Sequence, residues 1–298
     1  MIKTEKNFQK KVNIPQLLKW IGNKHKFGLE LTTYMPQEFN TYYEPFLGSG
    51  ALLGIVSNLN LHTPHGPKFK RSVAGDTLKY VVDIFNYVKS KPDLLINHYA
   101  TCIEGYIDNK QANYEAIKTR FNTTRDSLDF AVLTRTCYGG IIRFRKSDGY
   151  MSTLVGPHNP ISPKSFAERV MIWNGLTQDT TFMCADFSET MSLASEGDLI
   201  YCDPPYTHSQ SILYGAQDFC IDRLWESIYA AKQRGAKVML SINGTRESGG
   251  KDIGVIPPEG LFERATLINC GVSMIDRLQN AGDVMSGDIV HDKLLLTW

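Results

Sequence analysis

Asp203, Pro204, Pro205 and Tyr206 close the apolar run Leu199-Ile200-Tyr201-Cys202, so a carboxylate, two ring-locked residues and an aromatic stand in direct succession. Two consecutive prolines remove two backbone donors and fix φ twice, which stiffens the main chain and leaves carbonyls unpaired. If the run is a strand, this corner lies at its carboxyl end, where open α/β sheets bind ligands. A carboxylate and a neighbouring carbonyl accept both hydrogens of a flat exocyclic amine, and the tyrosine ring offers a face to a base. A plain strand-ending turn uses the same residue types, so the reading needs partners elsewhere in the chain.

Two other segments could supply them. Glu44-Pro45-Phe46-Leu47-Gly48-Ser49-Gly50 sits between a strand-like and a helix-like stretch. Its glycines let a ligand approach the backbone, and the next helix offers free N–H groups. The spacing Gly48, Gly50, Gly54 is G-x-G-x-x-x-G, whereas a pyrophosphate-binding turn wants the third glycine one position earlier. That argues against the rival reading as a nucleotide-dependent oxidoreductase. Asp76 ends the following strand-like run, 26 residues after Gly50. Acids in that place accept ribose hydroxyls, although a helix-capping aspartate looks the same in sequence. Near the N-terminus, Lys19-Trp20-Ile21-Gly22-Asn23-Lys24 pairs cations with an indole, a combination suited to a small ligand's carboxylate and apolar part.

The elements that must position these residues read as alternating strand and helix, the pattern of a mainly parallel sheet covered on both faces. Strands are expected at 41–47, 71–76, 181–187, 198–203 and 237–243, and helices at 51–60 and 222–235. ATLINCGVSMI and IVHDKLLLTW are expected to add an antiparallel C-terminal hairpin. From 77 to about 136 the apolar spacing is helical, and 137–165 is a Gly/Arg/Ser/Pro-rich stretch of poor periodicity. The expected organisation is a sheet domain of residues 1–86 and 166–298, interrupted by a mostly helical insertion at 87–165. The 298 residues carry 42% hydrophobic and 21% charged side chains, which excludes collagen-like, low-complexity and wholly disordered classes. The start, MIKTEKNFQKKVNI, lacks the apolar core of a signal peptide, and no apolar run is long enough to span a bilayer. A cytoplasmic protein without membrane contact is expected. Six cysteines without a C-x-x-C pair point to free thiols and to no metal. Net charge is only +1, but seven lysines within residues 1–30 and seven basic residues within 118–146 could form two cationic surfaces for phosphate.

In this order, the motifs resemble the Dam-like (DPPY-type) family of DNA adenine-N6 methyltransferases. Lys19 to Lys24 is similar to the family's K-W-x-G-x-K, Glu44 to Gly50 to its E-P-F-x-G-x-G, and Asp203 to Tyr206 to its D-P-P-Y. Asp76 corresponds to its ribose acid, Ala185-Asp186-Phe187 to its G-D-F, and Arg135-Thr136-Cys137-Tyr138-Gly139-Gly140 to the R-x-x-Y-N-G of its target-recognition insertion. The resemblance implies a Rossmann-like methyltransferase sheet and the methyl donor S-adenosylmethionine. It implies donor contacts from Trp20, Lys24, Glu44, Phe46, Gly48, Gly50, Asp76, Asp186 and Asp203, and catalysis by Asp203, Pro204, Pro205 and Tyr206. It also implies binding of double-stranded DNA through Arg135, Tyr138, Arg143, Arg145 and Lys146, action as a monomer or weak dimer, and room for a companion restriction endonuclease. Gly139 stands where the family has Asn, and Arg143 to Gly156 lacks its E-F-N, so the resemblance does not extend to a target sequence. An RNA adenine amine or another planar amine, such as a glutamine amide, presents the same group to Asp203 and stays open at this level.

Overall fold

Seven strands form one sheet in the order β3-β2-β1-β4-β5-β7-β6. They are β1 (Thr41–Glu44), β2 (Arg71–Asp76), β3 (Thr180–Cys184), β4 (Leu199–Cys202), β5 (Lys237–Arg246), β6 (Arg264–Val272) and β7 (Ile289–Leu296). The computed structural model describes residues 14–205, 219–246, 255–272 and 289–298. β1 and β4 are buried at every position, as central parallel strands covered on both faces require. The first five strands are parallel and β7 runs antiparallel between β5 and β6, so the C-terminal hairpin is where the sequence puts it. β1 stops at Glu44, short of the expected 47, because Pro45 cannot donate to a ladder. β3 likewise stops at Cys184, since Asp186 caps the next helix instead of continuing the strand.

Helices α1 (Gly28–Thr32), α2 (Ala51–His62) and α3 (Lys79–Ser90) flank the first half of the sheet. α2 is buried from Ala51 to Leu59 all round its circumference, because it lies between the sheet and a second helical layer. α3 is amphipathic, with Val81, Val82, Ile84, Phe85 and Val88 turned inward. The second layer comprises α4 (Pro92–Ile103), α5 (Lys110–Thr124), α6 (Ser127–Thr136) and α7 (Pro163–Leu176). α6 is buried along its whole length, capped by Asp126, whose carboxylate accepts from the Leu128 N–H at 2.9 Å. α8 (Phe187–Ser192) and α9 (Ile221–Gln233) cover the opposite face.

Two apolar clusters hold these layers. One joins Leu52 and Phe85 beside the sheet to Tyr99, Phe121, Phe130 and Trp173 of the second helical layer, so the residues of 87–165 share a core with the sheet. The other packs Tyr43, Ile200 and Val238 against Leu224 and Ile228 of α9. Gly54 belongs to the first: a Cβ there would lie 2.6 Å from Trp173 Cη2, so its place in the glycine series serves helix packing and not a phosphate.

Candidate active site

The chain adds β2 and β3 on one side of β1, then crosses to add β4 and β5 on the other. This reversal opens a crevice at the carboxyl ends of β1 and β4, the place where doubly wound sheets bind ligands. Tyr43 pairs with Ile200, so Glu44 is level with Tyr201 and Asp203 follows two residues further on, on the same face of the adjacent strand. Glu44 and Asp203 line a cavity whose wall also carries Trp20, Lys24, Phe46, Gly48, Asp76, Asp186, Pro204 and Pro205. Segments far apart in sequence thus converge on one volume.

The Gly48 loop is shaped by two neighbours. Gly48 has φ +48°, and a Cβ there would lie 3.1 Å from Trp20 Nε1, so the indole rests on bare backbone. The Gly48 N–H donates to Asp76 Oδ2 at 2.9 Å, and the Leu78 N–H donates to Asp76 Oδ1 at 2.8 Å. Asp76 is therefore both the expected strand-end acid and a cap for the turn into α3. Burial pushes its carboxyl up, and the two N–H bonds pull partly the other way. Gly50, expected among the donor contacts, is not on the cavity wall; it turns the chain into α2 with φ +66°, and a Cβ would meet Phe85 Cζ at 2.9 Å.

Charge is concentrated behind the loop. The Lys24 ammonium, 5% exposed, donates to Asp203 Oδ1 at 2.8 Å and lies 3.4 Å from Asp292 Oδ2 on β7. Burial raises the Asp203 carboxyl to about 6 against the pull of Lys24, with Asp292 adding to the rise. Burial likewise raises Glu44 to about 8, helped by Asp203, although the Tyr42 hydroxyl donates to Glu44 Oε2 at 2.9 Å. At neutral pH Asp203 is ionised and Glu44 carries a proton. On the far wall Asp186 caps α8, accepts from the Ser188 N–H at 3.0 Å, and pairs with Arg223 at 2.7 Å. Phe46 stacks on Phe187 at 5.2 Å between centroids, with Phe219 edge-on to Phe46 at 6.0 Å. These rings offer an apolar aromatic surface of the kind on which a planar heterocycle packs.

The residues expected at DNA divide. Arg135 is 5% exposed and donates from Nη1 to the Gln16 and Leu17 carbonyls at 3.2 and 3.4 Å. This corrects the expectation of a DNA contact: Arg135 ties the insertion to the N-terminal segment, because those carbonyls lie directly over the end of α6. Gly140 packs there too, since a Cβ would lie 3.0 Å from the Lys19 backbone carbon. Tyr138, Arg143, Arg145 and Lys146 are all exposed. Arg145 is paired with Asp148 and stacked 4.3 Å from the Tyr150 ring centroid, which leaves Arg143 and Lys146 as the more available cations. Tyr206 and the lysines before residue 14 lie outside the described residues.

The D12 class N6 adenine-specific DNA methyltransferase family matches residues 20–247, a span that holds the Gly48 loop, Asp76, the whole insertion and Asp203. The chain belongs to this family. As a D12 class enzyme it transfers methyl groups to the N6 amine of adenine in DNA, which sets aside the RNA, peptide and oxidoreductase readings. Among similar proteins, a DNA adenine methylase of Vibrio cholerae is 28% identical over 246 residues, 76% of this chain and 81% of that protein. A DNA N-6-adenine-methyltransferase of Escherichia phage P1 is 26% identical over 240 residues, 76% of this chain and 30% of that protein. The Type II methyltransferase M.FokI of Planomicrobium okeanokoites is 26% identical over 194 residues, 63% of this chain and 28% of that protein.

Four residues at the site of this D12 enzyme have no role assigned from sequence, although Phe187 stands in the G-D-F-like motif. Phe187 and Phe219 complete the aromatic recess, and Arg223 turns its guanidinium over Phe187 at 5.2 Å while holding Asp186. Phe187 adjoins the G-D-F-like acid and was within reach, whereas Arg223 sits on a helix face that periodicity marks only as solvated. Asp292 is the fourth, and its signal was a lone carboxylate inside the apolar run of β7. A further group, His98, Cys102 and Asp129, has the ligand types of a metal site. Arg120 donates to both Asp129 and Cys102, so a cation already fills its centre. Among the described residues no helix is long and apolar enough to cross a membrane.

Proposed function

We propose that the cavity binds S-adenosylmethionine and that Asp203 with the Pro204 carbonyl receives the amine of an adenine extruded from double-stranded DNA. The juxtaposition of Asp203 with the Gly48 loop at the β1/β4 switch point carries this reading. The residues fit the donor. Asp76, anchored by two N–H bonds, suits a ribose diol, the Phe46 recess suits the adenine with Asp186 beside it, and Trp20 lies over the loop. Ionised Asp203 gives the wall a negative character towards a sulfonium and an ammonium group, protonated Glu44 adds polar oxygens, and Lys24 supplies a cation for a carboxylate. The bound donor supplies an electrophilic methyl group.

An adenine amine is a poor nucleophile because its lone pair is delocalised into the ring. Ionised Asp203 accepts one N–H and the Pro204 carbonyl the other, which draws the nitrogen towards tetrahedral geometry and localises the pair. Pro205 keeps the corner rigid, so the rate comes from alignment and electrostatics. Tyr206 stacks on the extruded base and offsets part of an unstacking cost of a few kcal/mol. In this reading residues 1–86 and 166–298 bind donor and target amine. Residues 87–165 recognise a specific duplex sequence through Tyr138, Arg143, Arg145 and Lys146. A cytoplasmic monomer or weak dimer with a companion endonuclease, in the manner of a Type II system, completes it.

Three measurements test the reading. Incubation with DNA of known sequence and S-adenosylmethionine, followed by single-molecule sequencing, is expected to show N6-methyladenine within one short motif; methyl groups at cytosine C5 would refute it. Asp76→Ala is expected to weaken donor binding in calorimetry by about 10- to 100-fold, the worth of a charged hydrogen-bond acceptor, and unchanged affinity removes Asp76 from the donor site. Replacing Arg143 and Lys146 together by alanine is expected to lower the slope of log affinity for DNA against log salt by about 2, one per lost phosphate contact. An unaltered slope takes both residues off the DNA.

A further inference from the structure

Asp292 lies outside the family match at 20–247, yet it is 6% exposed and faces the reacting corner. Its location follows from topology. An antiparallel strand begins at the edge where its parallel neighbours end, and β7 enters beside the end of β5, one strand removed from β4, with Asp292 in register with Asn243 of β5 and Ile268 of β6. The Lys24 ammonium is thus held from two sides, 2.8 Å from Asp203 Oδ1 and 3.4 Å from Asp292 Oδ2. Water is nearly absent from the Lys24 and Asp292 side chains, at 5% and 9% exposure, so this arrangement is little screened.

We propose that Asp292 is a positioning residue for methyl transfer: by sharing the Lys24 ammonium it holds that cation behind Asp203 and leaves a carboxylate lone pair for the target amine. This rests on Asp203 accepting the amine. An ammonium has three donors and no fixed plane, so beside a single carboxylate it slides towards both oxygens and competes with an incoming N–H. A second carboxylate on the opposite side stops that slide. Among the described residues the groups facing Asp203 are Glu44 from β1, protonated at neutral pH and backed by Tyr42; the Cys202 thiol on β4, which burial keeps neutral; Lys24 from the N-terminal segment; and Asp292 from β7. Asp292 opposes Lys24 in setting the charge state of Asp203, which gives the role a signature that packing alone lacks.

The test is single-turnover methyl transfer as a function of pH in Asp292→Asn, with donor affinity by calorimetry and Asp203→Ala in parallel. Expected at saturating donor are a plateau rate lowered about tenfold as Lys24 closes on Asp203 and an acid limb moved below about pH 6. Asp292→Glu, which keeps the charge one methylene further out, is expected to retain the limb near pH 6 with a plateau a few-fold low. An unaltered plateau in Asp292→Asn, or a lowered plateau with an unmoved limb, overturns the proposal while the Asp203 reading stands. If that chain does not fold, an unaltered plateau in Asp292→Glu overturns it. Transfer surviving in Asp203→Ala overturns the underlying reading instead.

Discussion

Asp203→Ala is expected to lower methyl transfer to duplex DNA by about a thousandfold, the upper end of what removing one electrostatic contact to a reacting centre costs. Donor binding should persist, because the Gly48 loop, Asp76 and the Phe46 recess do not depend on Asp203 for their shape. The unaltered enzyme carries the same information in its pH dependence. Ionised Asp203 accepts an N–H far more strongly than the neutral acid does, and its carboxyl titrates near 6 because burial outweighs the Lys24 ammonium. Activity should therefore rise as pH increases through about 6 and level above it. Radiolabelled methyl transfer and calorimetry on the same preparations separate the two effects. Undiminished transfer in the variant, or a rate indifferent to pH from 5 to 7, would take Asp203 out of the chemistry.

Why Asp203 was legible and Asp292 was not is a matter of sequence locality. Asp203-Pro204-Pro205, the Gly48 loop and Asp76 each combine a strand end with a turn. The physical demands of that junction, stiffness, bare backbone and a terminal carboxylate, fall within a few consecutive residues. The parallel strands, the buried run of β4 and the closing hairpin were readable for the same reason. Asp292 and Arg223 act through partners 268 and 37 residues away, Lys24 and Asp186, and their own surroundings in sequence are those of an ordinary strand and an ordinary helix. Arg135 shows the converse. It matches a motif and a basic segment, but its guanidinium is buried and donates from Nη1 to the Gln16 and Leu17 carbonyls, a pairing visible only once α6 and the N-terminal segment meet. Charge counted along a chain does not distinguish a cation offered to phosphate from one spent on backbone.

Three helices of the 87–165 segment are tied together by a single buried carboxylate. Asp129 of α6 is fully buried and accepts from His98 of α4 at 2.8 Å and from Arg120 Nε of α5 at 2.7 Å, so it ties three helices together. Asp129→Ala leaves both cations without their acceptor, and loss of one partner from such a network costs about 3–5 kcal/mol. Guanidinium titration of the variant should show that loss. Its pH dependence has a defined sign. The hydrogen bond to Asp129 raises His98 to about 9 from 6.5, so the contribution of His98 is complete below 6.5 and disappears as pH rises through about 9. Burial alone would raise the Asp129 carboxyl, but the bonds from His98 and Arg120 prevail and hold it below its ordinary value, so acid releases the network only below the usual carboxylate range. The stability gap between the unaltered chain and Asp129→Ala should therefore be largest near pH 6 and shrink between 6.5 and 9 to the share carried by Arg120. A gap constant over that window would mean that His98 is neutral in the folded protein. Because the α6 end continues into Tyr138 and the Arg143 loop, a variant that loosens Asp129 should also weaken DNA binding before it weakens donor binding, and calorimetry with each ligand below the unfolding transition measures that order directly.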